Sequence, residues 1–118
     1  MRDLAPDITR QRLLVEGIYS GEMDEQRVRD YLTGVARKLG LRTYGEPMIH
    51  SPQGSGSEDN QGFDAFIPLI DSGIALYVWT GQRFFSAVLY TCKSFDTEQA
   101  VSFTRNYFRC TDIEALTF

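Results

Sequence analysis

The 118-residue chain has a single histidine, His50, and only two cysteines, Cys92 and Cys110. A Ser-His-Asp hydrolase would have to use that one imidazole, and no Gly-x-Ser-x-Gly elbow is there to hold a serine beside it. A metal site needs several nitrogen, sulfur or carboxylate ligands in a spacing pattern. His50 has no second histidine, and Glu58 and Asp59 form no ligand pattern, so no metal is expected. Two thiols in a chain not bound for export are more often free than paired. No apolar run approaches the ~20 residues of a membrane span. There is no Lys/Arg cluster, and the net charge of −4 repels a polyanion. Neither a membrane nor a nucleic-acid partner is expected. The N-terminus, MRDLAPDITRQR, mixes charges and holds no apolar block, so it reads as neither signal nor transit peptide and the expected location is cytoplasmic.

What is present is an ordinary globular composition, 42% hydrophobic and 24% charged, which implies one domain over residues 1–118. After a polar arm containing Pro6, Gln11 to Tyr19 reads as a short apolar strand ended by Ser20-Gly21. Val28, Tyr31, Leu32, Val35 and Leu39 then recur at helical spacing, which predicts a helix from near Asp24 to Gly40. Leu41 to Ile49 reads as a second strand, interrupted at Gly45-Glu46-Pro47. Ser51 to Gly62 has no apolar residue and is expected on the surface. Three strands follow, near Phe63 to Ile70, Ile74 to Thr80 and Arg83 to Cys92, with turns at Asp71-Ser72-Gly73 and Gly81-Gln82 short enough to join antiparallel neighbours. A last helix opens at Asp96, a capping residue with Gln99 in the capping-box position, and buries Ala100, Phe103, Thr104, Tyr107 and Phe108. The order predicts an α+β fold, a two-layer sandwich with a mainly antiparallel sheet and two helices on one face. Exposed aromatics need cover, which points to a homodimer.

Two residues in this frame could carry chemistry, and each has a plain structural reading beside it. Asp71-Ser72-Gly73 is a common turn tripeptide, since Asp and Ser bond to nearby backbone and Gly accepts positive φ. Cys92 could be a small apolar residue filling a strand. His50, before a Ser-Pro step, more often makes structural hydrogen bonds. Of the aromatics Tyr77, Trp79, Phe84, Phe85 and Tyr90, those on one strand face are core and the others line a cleft or interface.

The segment Asp71 to Cys92, DSGIALYVWTGQRFFSAVLYTC, together with the loop start His50-Ser51-Pro52-Gln53-Gly54, changes that weighting. Over Leu13 to Phe108 the chain resembles the small prokaryotic pyruvoyl-dependent S-adenosylmethionine decarboxylases. Asp71-Ser72 falls, without a gap, on that family's self-cleaved Glu-Ser bond, and Cys92 on its proton-donating cysteine. The resemblance implies that Ser72 attacks the preceding carbonyl and becomes a pyruvoyl cofactor. That cofactor would form a Schiff base with the substrate amine, and Cys92 would return the proton after carbon dioxide leaves. Gly73 would give the backbone freedom needed for the acyl shift. The family's processing histidine corresponds to Tyr77 and its upstream helper serine to Asp64, so Asp71, Tyr77 and Asp64 would carry the processing. Its Trp-Pro-Glu pocket acid is lost in Trp79-Thr80-Gly81. His50, Ile74 and Trp79 would bind substrate, either S-adenosylmethionine or another amino acid such as ornithine or arginine in polyamine metabolism. A homologue that never cleaves and acts as a small-molecule-binding or regulatory protein is the alternative.

Overall fold

A computed structural model describes residues 1–51 and 61–118 of the chain; Pro52, Gln53 and Gly54 of the loop motif lie outside the described residues, as do Glu58 and Asp59. The elements run β1 (Gln11–Ile18), α1 (Glu25–Lys38), β2 (Met48–His50), β3 (Gly62–Leu69), β4 (Ser72–Trp79), β5 (Phe84–Thr91), α2 (Thr97–Phe108) and β6 (Asp112–Thr117). The strands form one sheet in the order β2-β3-β4-β5-β1-β6, every neighbour antiparallel. Both helices pack on one face, α1 over β3 and β4 and α2 over β1. This is the expected α+β arrangement of sheet and paired helices. Among the described residues no helix is long and apolar enough to cross a membrane.

Local chemistry sets the helix ends. Asp24 accepts from the Arg27 backbone N–H at 2.7 Å and Asp96 from that of Gln99 at 3.0 Å, so each acid satisfies a donor that the first turn leaves free. The α1 stripe Val28, Tyr31, Leu32 and Val35 is wholly buried and shares one core with Ile74, Leu76, Phe85, Leu89, Leu13 and Val15 from the sheet. Each such side chain contributes about 1.5–3 kcal/mol on leaving water. An aromatic column ties the layers together: the Tyr31 and Phe85 rings each stand 4.6 Å from the Phe108 ring. In α2, Ala100, Thr104 and Phe108 are buried, while Phe103 and Tyr107 are only partly covered.

Three expectations need correction. The strand expected over Leu41 to Ile49 is a three-residue strand, Met48–His50, plus an isolated bridge from Thr43 to Leu69. The intervening Gly45-Glu46-Pro47 cannot supply a continuous ladder. The turn expected at Asp71-Ser72-Gly73 lies one step earlier: Leu69 pairs with Ser72, so Ile70 and Asp71 are the turn and Ser72 opens β4. The chain also ends in a strand that no pattern announced. β6 pairs with β1 from Ile18↔Asp112 to Leu13↔Thr117, yet only Ile113 among its residues is even half-buried. An edge strand that buries so little has no need of the alternation by which strands are recognised.

Among the described residues no element covers the sheet face away from the helices, and strand register orders it into rows. Met48, Phe66, Ala75, Val88, Leu14 and Leu116 face one another across all six strands as an apolar row. Beside it runs a polar row, His50, Asp64, Tyr77, Ser86, Glu16 and Glu114. Met48, Phe66, Tyr77, Tyr90 and Leu116 are exposed there.

Candidate active site

Pairing of β4 with β5 brings the expected reactive residues together. Ser72 stands opposite Thr91, and the next residue, Cys92, donates its backbone N–H to the Asp71 carbonyl at 2.9 Å. That carbonyl belongs to the Asp71-Ser72 peptide bond. Cys92 lies one residue past the end of β5 and is exposed, so the reading of it as apolar filler inside a strand does not hold. Thr91 fills that buried place, its hydroxyl donating to the Lys93 carbonyl at 2.6 Å.

Ser72 is half-buried and its φ is +121°. A side chain at such a φ is held in backbone space that is close to glycine's alone and costs on the order of 1–3 kcal/mol. Gly73 does not carry this role. A Cβ there would instead come within 2.6 Å of the Phe66 ring, which lies over it on the open face and would have to shift.

Asp71 itself is buried, at 4% exposure, and is fixed by Arg42. The guanidinium Nη2 donates to Oδ1 at 2.9 Å and the Arg42 backbone N–H to Oδ2 at 3.2 Å, while the Arg42 carbonyl accepts from the Ile70 N–H at 2.8 Å. These bonds to Arg42 hold the Asp71 carboxyl below the usual carboxylate range. Nothing in the sequence pattern linked Arg42 to the turn, because the contact joins two loops far apart in the chain.

The remaining candidates gather elsewhere. Asp64 and Tyr77 are direct cross-strand partners, and His50 pairs with Asp64 on its other side. The three line a shallow depression with Met48 and Phe66 on the open face. Tyr77 is five residues from Ser72 along β4, about 17 Å for an extended chain. Trp79 lies further along still, its ring 5.4 Å from that of Phe84. Within one chain, then, the structure brings Asp71, Ser72, Cys92 and Arg42 together at one end of the hairpin and His50, Asp64 and Tyr77 in the middle of the open face. Ile74 joins neither group. It is fully buried in the helix-facing core and presents nothing to a ligand, a correction that follows from strand alternation placing it beside Leu76 rather than Tyr77. Among the described residues no group of His, Cys, Asp and Glu could hold a metal ion.

Chemically, the hairpin end has a hydroxyl one residue past a carbonyl that is already polarised by an N–H donor, in a strained backbone. Those are the groups an internal acyl shift from nitrogen to oxygen would use. A model of the S-adenosylmethionine decarboxylase family matches residues 19–118. The chain belongs to the S-adenosylmethionine decarboxylase family. A solved structure, the adenosylmethionine decarboxylase from Aquifex aeolicus, superposes with a TM-score of 0.72 at 16% identity, covering 94% of this chain and 89% of that one. At that identity the likeness establishes a shared fold. No curated protein matches.

Within the S-adenosylmethionine decarboxylase family the group in question is a pyruvoyl built from the chain's own serine. The residues fit it, for the strained Ser72 follows a hydrogen-bonded carbonyl and an exposed thiol-bearing residue abuts the same bond.

Proposed function

We propose that the protein is a self-cleaving, pyruvoyl-dependent decarboxylase of S-adenosylmethionine or a related amino acid, with a place in polyamine metabolism. The observation that carries this is the Asp71 carbonyl, held at 2.9 Å by the Cys92 N–H beside a serine at φ +121°. The Ser72 hydroxyl adds to the Asp71 carbonyl carbon, and the Cys92 N–H receives the charge that develops on oxygen. The peptide C–N bond then breaks, the hydroxyl proton passes to the departing nitrogen, and an ester joins Asp71 to the Ser72 side chain. Removal of the Ser72 α-proton expels the Asp71 carboxylate from Cβ. The resulting dehydroalanine tautomerises and takes up water, releasing ammonia and leaving a ketone at the new N-terminus. That ketone supplies an electron sink for breaking a bond between an amino acid's α-carbon and its carboxylate. Cys92 is the proton donor of turnover.

Asp64 and Tyr77 are the processing pair, and their placement constrains how they act. About 17 Å of strand separates Tyr77 from Ser72, so the pair reaches a scissile bond only across a subunit boundary. A homodimer packed through the open face supplies that boundary and covers Phe66, Tyr77 and Leu116 together. His50 and Trp79, on the same face, then belong to the substrate cleft.

Mass spectrometry of the purified protein tests the reading: two fragments split before Ser72, summing to the intact chain plus water minus ammonia, are expected. A second reading, a non-cleaving homologue that binds a small molecule or regulates a partner, is favoured by Tyr77 and Gly81, which replace the family's processing histidine and pocket acid. Carbon dioxide release that Ser72→Ala abolishes would rule it out.

A further inference from the structure

Arg42 touches the scissile turn at three points: its backbone carbonyl takes the Ile70 N–H, its backbone N–H binds Asp71 Oδ2, and its guanidinium binds Oδ1. Both carboxylate oxygens of Asp71 are therefore engaged by one residue. The asymmetry of the pair is informative. Asp71 is 5% exposed at its side chain and Arg42 64%, so the arginine reaches in from solvent to meet an acid already enclosed beside the reacting carbonyl. The other nearby cation, Lys93, donates to the Gly40 carbonyl at 2.9 Å and acts on Asp71 only through space, as the last of the causes that lower its carboxyl pKa.

The acyl shift places negative charge on the Asp71 carbonyl oxygen, only a few bonds from the Asp71 carboxylate. Two like charges that close, one of them out of water, repel strongly. We infer that the Arg42 side chain is a positioning group for self-cleavage: it neutralises the Asp71 carboxylate next to the developing oxyanion, while the backbone bonds that hold the turn are ones any residue at this position would make. This inference rests on the reading that the Asp71-Ser72 bond cleaves itself.

The test is a cycle of full-length variants followed by intact mass over time, all kept folded as judged by circular dichroism. With wild type as reference, Arg42→Ala is expected to cleave at least about tenfold more slowly, the effect of leaving one buried charge beside another. Arg42→Lys, which keeps the charge and the backbone bonds, is expected to restore most of the rate. In an Asp71→Asn background there is no carboxylate to neutralise, so adding Arg42→Ala should change the rate little. Hydroxylamine separates the steps, because it opens an accumulated ester; it should not rescue Arg42→Ala, whose defect precedes the ester.

An Arg42→Ala effect just as large in the Asp71→Asn background as in wild type would overturn the inference, as would full rescue of Arg42→Ala by hydroxylamine. An unslowed Arg42→Ala would do so too. If Asp71→Asn alone stops cleavage, the lysine variant decides, and an Arg42→Lys as slow as Arg42→Ala counts against the role of charge. Failure of the underlying reading looks different: wild type itself stays intact, with or without hydroxylamine, and the inference falls with it.

Discussion

Ser72 holds a backbone conformation that glycine adopts freely and serine only under strain, and that single φ makes a stability prediction independent of any reaction. Ser72→Gly should be more stable than Ser72→Ala by about 1–2 kcal/mol in urea denaturation, since both lose the hydroxyl and only alanine keeps the Cβ strain. Equal stabilities would mean the strain is absent. Asp71 makes a pH prediction. Its carboxyl is held below the usual range in the folded protein, so its stabilisation is complete above the unfolded carboxylate pKa and is lost as pH falls through the lower folded value. Wild type should therefore lose stability more steeply than Asp71→Asn from about pH 4 downward, measured by thermal unfolding across pH. The sequence marked Asp71, Ser72 and Cys92 as a set because they fall in one ungapped stretch. It did not mark Arg42, whose claim depends on a loop-to-loop contact, nor the positive φ of Ser72, which tripeptide composition had assigned to Gly73.

At the scale of elements, the helices were legible because their signals are local: a capping acid and a 3.6-residue stripe lie within one segment each, and Gly40 closes the first. Between the helices runs a fully buried hydrogen bond, 2.8 Å from the Tyr31 hydroxyl to the Thr104 hydroxyl, which in turn donates to the Ala100 carbonyl. Burial raises the Tyr31 phenol far above its ordinary range, so it stays neutral. Tyr31→Phe should cost about 1 kcal/mol by chemical denaturation, because one buried bond is lost while Thr104 retains its bond to the backbone. A loss below a few tenths would place the bond outside the stabilising core. The hairpins β3–β4 and β4–β5 were likewise readable from alternation and short turns. β6 was not, for an exposed edge strand is held by its ladder to β1 and needs no apolar side chains to form. The short β2 was overestimated for the converse reason: apolar residues around Gly45-Glu46-Pro47 suggested a ladder that the proline interrupts.

For the molecule as a whole, the helix side is closed and the opposite sheet face is not. Its apolar row ends in Leu116, 58% exposed, on the edge strand. Leu116→Glu should leave the monomer folded and shift a sheet-to-sheet dimer toward monomer in sedimentation velocity; an unchanged dimer would move the interface elsewhere. The same substitution should slow self-cleavage if Asp64 and Tyr77 act across that interface. Every chemical role assigned to Ser72 depends on whether the Asp71-Ser72 bond breaks without help. Intact-mass analysis of freshly purified protein during prolonged incubation tests this most directly. Two chains divided before Ser72, the second beginning with a ketone in place of an amine, are the predicted result. A chain that remains at its full 13.4 kDa throughout, and stays whole in hydroxylamine, would contradict it.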